Sequence, residues 1–115
     1  MKRNRISSFN RIRHALEAIQ SIEQFTHNYT LKKFLNDEKT ISACLYQYSV
    51  IGEAVAGIEA AILENHDYPW YKVKSFRNFI LYEYHAIEMK VIWDTTIEEL
   101  PGLKEVLIKI LSHEN

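Results

Sequence analysis

Apolar residues at Ile12, Ala15, Leu16, Ile19, Ile22 and Phe25 recur three and four positions apart, the spacing that gathers side chains on one face of an α-helix. Arg11, Arg13, Glu17 and Glu23 fall largely off that face. Ser8 stands ahead of the pattern, so a first helix is predicted after it. Beyond His27, Asn28 and Tyr29, Thr30 is placed to cap a short turn carrying Leu31, Phe34 and Leu35. Asn36 and Asp37 then open a longer helix, whose stripe of Ile41, Cys44, Leu45, Tyr48, Val55, Ile58 and Ile62 runs to about Glu64. Another face of that helix holds Ser49, Glu53, Gly57 and Ala60. Mostly small residues there allow a second helix backbone to approach closely, from within the chain or from another copy.

The next break is Asn65, His66, Asp67, Tyr68 and Pro69, and Pro69 suits the first turn of a helix, where its missing N–H costs little. A third long helix is predicted from Trp70, with Phe76, Ile80, Tyr84 and Ile87 on one stripe and Lys72, Lys74 and Arg77 making its start basic. Met89, Ile92, Trp93 and Thr96 form a further pattern leading to Glu99, Leu100, Pro101 and Gly102. After that break Leu103, Val106, Leu107 and Ile110 mark a closing helix. No alternating strand is present. The expected fold is all-α, an up-and-down bundle of four to five helices forming a single domain over residues 1–115.

Composition narrows the functional classes. The chain has 115 residues, 47% of them hydrophobic and 25% charged, with only 3 Gly and 2 Pro, a balance that suits one compact core. A net charge of -1 argues against gripping nucleic acid by total charge, although Lys2, Arg3, Arg5, Arg11 and Arg13 crowd the start. Any RNA contact must be local. That Arg-rich start resembles a transit peptide superficially, but it runs into the first helical pattern and reads as mature sequence. Cys44 is the only cysteine, which rules out an intrachain disulfide and points to a reducing, cytoplasmic setting. Cys44 shares the Ile41, Leu45 and Tyr48 face and reads as an inert core thiol. No apolar run approaches the roughly 18 residues needed to cross a bilayer.

There is no phosphate-binding glycine loop, dinucleotide fingerprint, zinc-ligand spacing or nucleophile elbow, so no cofactor or metal is expected. One stretch stands out. Tyr68–Leu103 reads YPWYKVKSFRNFILYEYHAIEMKVIWDTTIEELPGL, with Gly52, Glu53 and Ala54 upstream. Pro69 and Trp70, Arg77 and Asn78, Tyr84, Trp93, and Leu100, Pro101 and Leu103 stand in an order and spacing that resembles the HepT-like branch of the HEPN superfamily. The match covers about half the chain. It departs at one point: the family's histidine falls on Tyr82, and the nearest His is His85.

The resemblance implies metal-independent endoribonuclease chemistry, in which the RNA 2′-hydroxyl attacks the adjacent phosphate, an Arg steadies the developing charge and a His moves protons. It places Arg77 in the first role, a sound one because a guanidinium stays charged and forks onto phosphate oxygens. Tyr82 replaces imidazole poorly, since an ordinary phenol has a pKa of about 10. On an unbroken helix Asn78, Tyr82 and His85 form one polar stripe, so His85 is a candidate substitute a turn away. Arg77 and Tyr82 lie about 140° apart around a helix, and would meet through a bend or a second chain. The resemblance also implies a homodimer and a type VII toxin–antitoxin pairing. In that pairing a minimal nucleotidyltransferase antitoxin adds AMP to Tyr84, putting bulk and negative charge beside Arg77. The candidate site is therefore Arg77, Tyr82 and His85, with Asn78 and Glu53 as supporting residues and Tyr84 as AMP acceptor.

Simpler roles stand beside these. Tyr84 also fits a core aromatic, His85 a surface residue, and Glu53 a solvated charge or a partner for Arg77. Trp70 and Trp93 read as packing anchors, and the basic start as a solvated helix face. With Tyr82 in the His position, the alternative function is a non-catalytic subunit that binds a nucleotidyltransferase, nucleotide or RNA.

Overall fold

The computed structural model describes residues 2–82 and 88–114, with side chains from Arg5 onward. Among these residues the regular structure is entirely helical. Four long helices dominate: α1 (Lys2–Phe25), α3 (Glu38–Ala56), α5 (Trp70–Tyr82) and α7 (Leu100–Leu111). Three short ones, α2 (Leu31–Leu35), α4 (Ala60–Glu64) and α6 (Met89–Asp94), lie between them, and a π-helical turn over Thr95–Glu99 joins α6 to α7. The fold is the expected all-α bundle. No described helix is long and apolar enough to cross a membrane.

The predicted stripes form one core. Ile12, Ile19 and Ile22 of α1 are fully buried with Phe34, Cys44, Val55, Ile92 and Leu107. Helix α3 packs between α1 and α5, and α7 closes against α1. Burial, followed by the charge of Asp37, pushes the Cys44 thiol up to about 11, as befits an inert core group. Trp93 packs at a tilt against Phe34 with ring centroids 5.3 Å apart.

The connection after α1 is built from short polar side chains. Asn28 takes a left-handed backbone (φ 62°), a conformation Asn tolerates better than most residues. Thr30 caps α2 by accepting from the Lys33 N–H at 3.2 Å. Asp37 caps α3 by accepting from the Thr40 N–H at 3.0 Å and from the Thr40 hydroxyl at 2.7 Å. The Tyr29 hydroxyl donates to the same carboxylate at 2.7 Å.

Three boundaries differ from the sequence reading. First, α1 begins at Lys2, well ahead of Ser8. Ser8 is buried inside the helix, and its hydroxyl accepts the Glu59 N–H at 3.0 Å, tying α1 to the start of α4. The basic start is also engaged: Arg5 lies over the Phe9 ring and reaches the His113 carbonyl, and Arg13 pairs with Glu114. Second, the stripe running to Glu64 is two helices, because α3 stops at Ala56 and α4 starts at Ala60. Gly57 caps α3 with the Arg11 guanidinium packed against it; a Cβ there would lie 2.4 Å from the guanidinium carbon. Ile58 is buried at the bend, so the apolar spacing continues although the helix does not.

Third, no break occurs at Leu100–Gly102. Pro101 can donate no hydrogen bond to the preceding turn, and the π turn ahead of it lets the helix continue: the Leu100 N–H bonds to the Thr95 carbonyl. The Thr95 and Thr96 hydroxyls donate to the Val91 and Ile92 carbonyls, supplying bonds that compete with the backbone ladder. Thr96 also meets the Tyr48 hydroxyl at 2.6 Å, fastening the π turn to α3 in the core.

Candidate functional site

Helix α5 carries Lys72, Lys74 and Arg77 and no acidic residue among its described positions. Its entry is set by Pro69 and Trp70. The Trp70 indole N–H donates to the Leu63 carbonyl at 3.0 Å and the His66 carbonyl at 3.3 Å, pinning α5 to the end of α4. Phe76 packs edge-on to Tyr48 with centroids 5.2 Å apart, locking α5 against α3. The two tryptophans are packing anchors, as expected.

That docking presses Arg77 onto α3. A Cβ built on Gly52 would lie 2.4 Å from the Arg77 Cβ and 2.7 Å from its Cγ, so only glycine lets the stem of the arginine lie there. At the end of this stem one guanidinium nitrogen meets Glu53 Oε1 at 2.8 Å. The Arg77 side chain is 24% exposed and that of Glu53 66%, so the pair is half sunk, with the carboxylate on the water side. The Arg77 Nε is buried and has no hydrogen-bond partner in the structure. A buried guanidinium N–H without an acceptor is uncommon. The guanidinium is thus oriented by Glu53 with donors to spare.

The predicted residues separate accordingly. Arg77 and Glu53 come together, with Gly52 as their floor. Asn78 is exposed one position on, and Tyr82 is 77% exposed near the end of α5, turned away from the Arg77 packing face. Tyr84 and His85 lie outside the described residues, as does Ile87. Among the described residues no group of three or more His, Cys, Asp or Glu converges as a metal site.

Two concave features flank the pair. A mainly apolar cavity of about 220 Å³ between α3, α5 and α7 is lined by Tyr48, Ile51, Tyr68, Val73 and Phe76, with Lys72 and Glu99. It is smaller than the usual ligand pocket and does not include Arg77. The other is a shallow groove of about 330 Å³ between α1 and α3, which shares Glu53 with the ion pair and adds Arg11, His14, Tyr46 and Ser49. The sequence pattern named Arg11 only within the basic start and gave His14, Tyr46 and Ser49 no chemical role. Arg11 and His14 stand three apart on one helix and Tyr46, Ser49 and Glu53 on another. Only the packing of α1 on α3 makes them one surface.

Residues 15–110 match the protein family described as "Ribonuclease HepT-like". The chain is 34% identical over 89 residues to "Probable ribonuclease HepT" of Thermococcus cleftensis, covering 76% of this chain and 81% of that one. It is 32% identical over 104 residues to "Putative RNase MJ0127" of Methanocaldococcus jannaschii, covering 87% and 86%. It also aligns at 26% identity with 46% of a longer protein of that organism, "Gamma-glutamylcyclotransferase and putative RNase MJ0434". No solved structure matches the chain significantly.

Proposed function

Because the chain belongs to the HepT-like ribonuclease family, we propose that it is an RNA-cleaving toxin whose phosphate-binding group is Arg77. The observation that carries this reading is the Arg77–Glu53 pair. A guanidinium held at 2.8 Å by one exposed carboxylate, on a side chain that is itself 24% exposed, presents a fixed cation to phosphate oxygens. In the reaction the RNA 2′-oxygen attacks the adjacent phosphorus and loses its proton. The 5′-oxygen leaves and takes up a proton, and a 2′,3′-cyclic phosphate remains. Charge builds on the non-bridging oxygens, where Arg77 stabilises it. His85 is the candidate proton carrier, with Tyr82 and the supporting Asn78 as the other candidate residues.

In the same reading the protein works in the cytoplasm as a homodimer, which brings two copies of the α5 segment to one cleft. A minimal nucleotidyltransferase antitoxin adds AMP to Tyr84 and silences the cleft by bulk and charge. Incubation with that partner and ATP tests this part: a mass gain of one AMP on Tyr84, with loss of RNA cleavage, is expected. Unchanged mass and unchanged cleavage contradict it.

A second reading is favoured by one observation. The resemblance puts Tyr82 in the family's histidine position, and its side chain is 77% exposed. In that case the protein binds RNA or its partner without cutting. Cleavage by Tyr82→His alone, and not by wild type, identifies this version; wild-type turnover removes it.

A further inference from the structure

The groove between α1 and α3 is continuous with the Arg77–Glu53 pair, because Glu53 belongs to both. We infer that this groove seats the nucleotide flanking the scissile phosphate of a single-stranded RNA, with Arg11 and His14 on its phosphate and Tyr46 against its base. The inference rests on the ribonuclease reading and extends it from one contact to a strand path.

Charge supports it first. Arg11 lines the groove with Glu53, and that carboxylate is already paired with Arg77, so two permanent cations share one carboxylate although the chain's net charge is -1. The Arg11 guanidinium lies against the backbone at Gly57, where a side chain would displace it.

Shape and chemistry supply the rest. Tyr46 is 66% exposed, and a large aromatic left open in a groove that also holds a cation is the arrangement on which single-stranded bases stack. Tyr46, Ser49 and Glu53 stand at i, i+3 and i+7, so they follow one face of α3 for about 10 Å. His14 is exposed on the opposite wall, where its ring N–H can donate to a phosphate or sugar oxygen. Duplex RNA does not fit this description, since its bases are paired and stacked on one another and unavailable to Tyr46. The occupant is therefore a single strand.

The test measures binding apart from cleavage, using a fluorescent single-stranded RNA of mixed sequence with 2′-O-methyl sugars, which cannot undergo attack by the 2′-oxygen. Wild type, Tyr46→Ala, Tyr46→Phe, His14→Ala, Arg11→Gln and Ile108→Ala are compared by anisotropy. Ile108 is a half-exposed residue of α7 that lines a separate surface groove with Glu23 of α1. Tyr46→Ala is expected to weaken binding about tenfold, the effect of losing one stacked base. Tyr46→Phe and Ile108→Ala should bind as wild type, and His14→Ala more weakly. Arg11→Gln should lower the salt dependence by about one ion. If Tyr46→Ala and His14→Ala bind like wild type while Arg77→Ala still abolishes cleavage, the groove proposal falls and the ribonuclease reading stands. If Tyr46→Ala instead turns a dimer into a monomer on a sizing column with RNA affinity unchanged, the groove is covered by a second copy, and the proposal falls too. If wild type binds no RNA at low salt, both readings fall.

Discussion

The Arg77 stem lies on Gly52, so closely that a Cβ at position 52 would sit 2.4 Å from the Arg77 Cβ. The atom in the way belongs to the base of the side chain and cannot swing aside. Gly52→Ala must push α5 from α3, at a cost of about 1–3 kcal/mol, the usual penalty for overpacking. Urea unfolding should show that loss, and RNA cleavage should fall with it because Arg77 moves. Wild-type stability and activity in Gly52→Ala would show that the close packing is not needed.

Glu53 should matter for orientation far more than for stability. Its carboxylate is 66% exposed, and a pair so open to water changes folding stability by no more than about 0.5 kcal/mol. Glu53→Gln should therefore melt like wild type. Its kcat should fall roughly tenfold as Arg77 loses its alignment, while KM changes little. An unchanged kcat would remove Glu53 from the site.

Much of this architecture is written in local pattern. The core stripes, the caps at Thr30 and Asp37, the Pro69 entry and the anchoring by Trp70 and Trp93 follow from spacing and short-range hydrogen bonding, which act within a few residues. The misplaced boundaries depend on partners far along the chain. Ser8 is a good cap in isolation, but it bonds to Glu59 from inside α1. Gly57 interrupts a stripe whose period continues because Ile58 still points inward. Pro101 and Gly102 signal a stop, yet the π turn carries the helix through them. The pairing of Glu53 with Arg77 stood as one option against a solvated charge, and the helix docking that decides it is tertiary. The groove was hidden for the same reason.

Tyr48 and Thr96 offer a test of the buried link that fastens the π turn. The Thr96 hydroxyl donates its one proton to the Ile92 carbonyl at 2.9 Å, so in the 2.6 Å contact Tyr48 is the donor. Thr96→Val leaves a buried phenol with nothing to bond and should cost about 1–3 kcal/mol. Tyr48→Phe leaves Thr96 still bonded and should cost about 1 kcal/mol or less. Equal destabilisation in the two variants would argue against this assignment of donor and acceptor.

Acid stability should carry the mark of Asp37. Hydrogen bonds from Tyr29 and then Thr40 lower its carboxyl from 3.8 to about 2. A depressed carboxylate contributes stability that is complete above its unfolded pKa and disappears as pH falls through the folded one. Wild type should therefore melt above Asp37→Asn at pH 6, with the gap closing between about pH 4 and pH 2. A gap that stays constant across that window would mean the charge on Asp37 is not what the cap uses.

In the proposed reaction Arg77 binds the phosphate at which RNA is cut. Its most direct test is cleavage of a labelled single-stranded RNA by wild type and Arg77→Ala in excess chelator, with the ends of the fragments identified. Wild type should release fragments ending in 2′,3′-cyclic phosphate, and Arg77→Ala, shown to be folded by its melting curve, should release none. Equal cleavage by the two proteins would contradict the account.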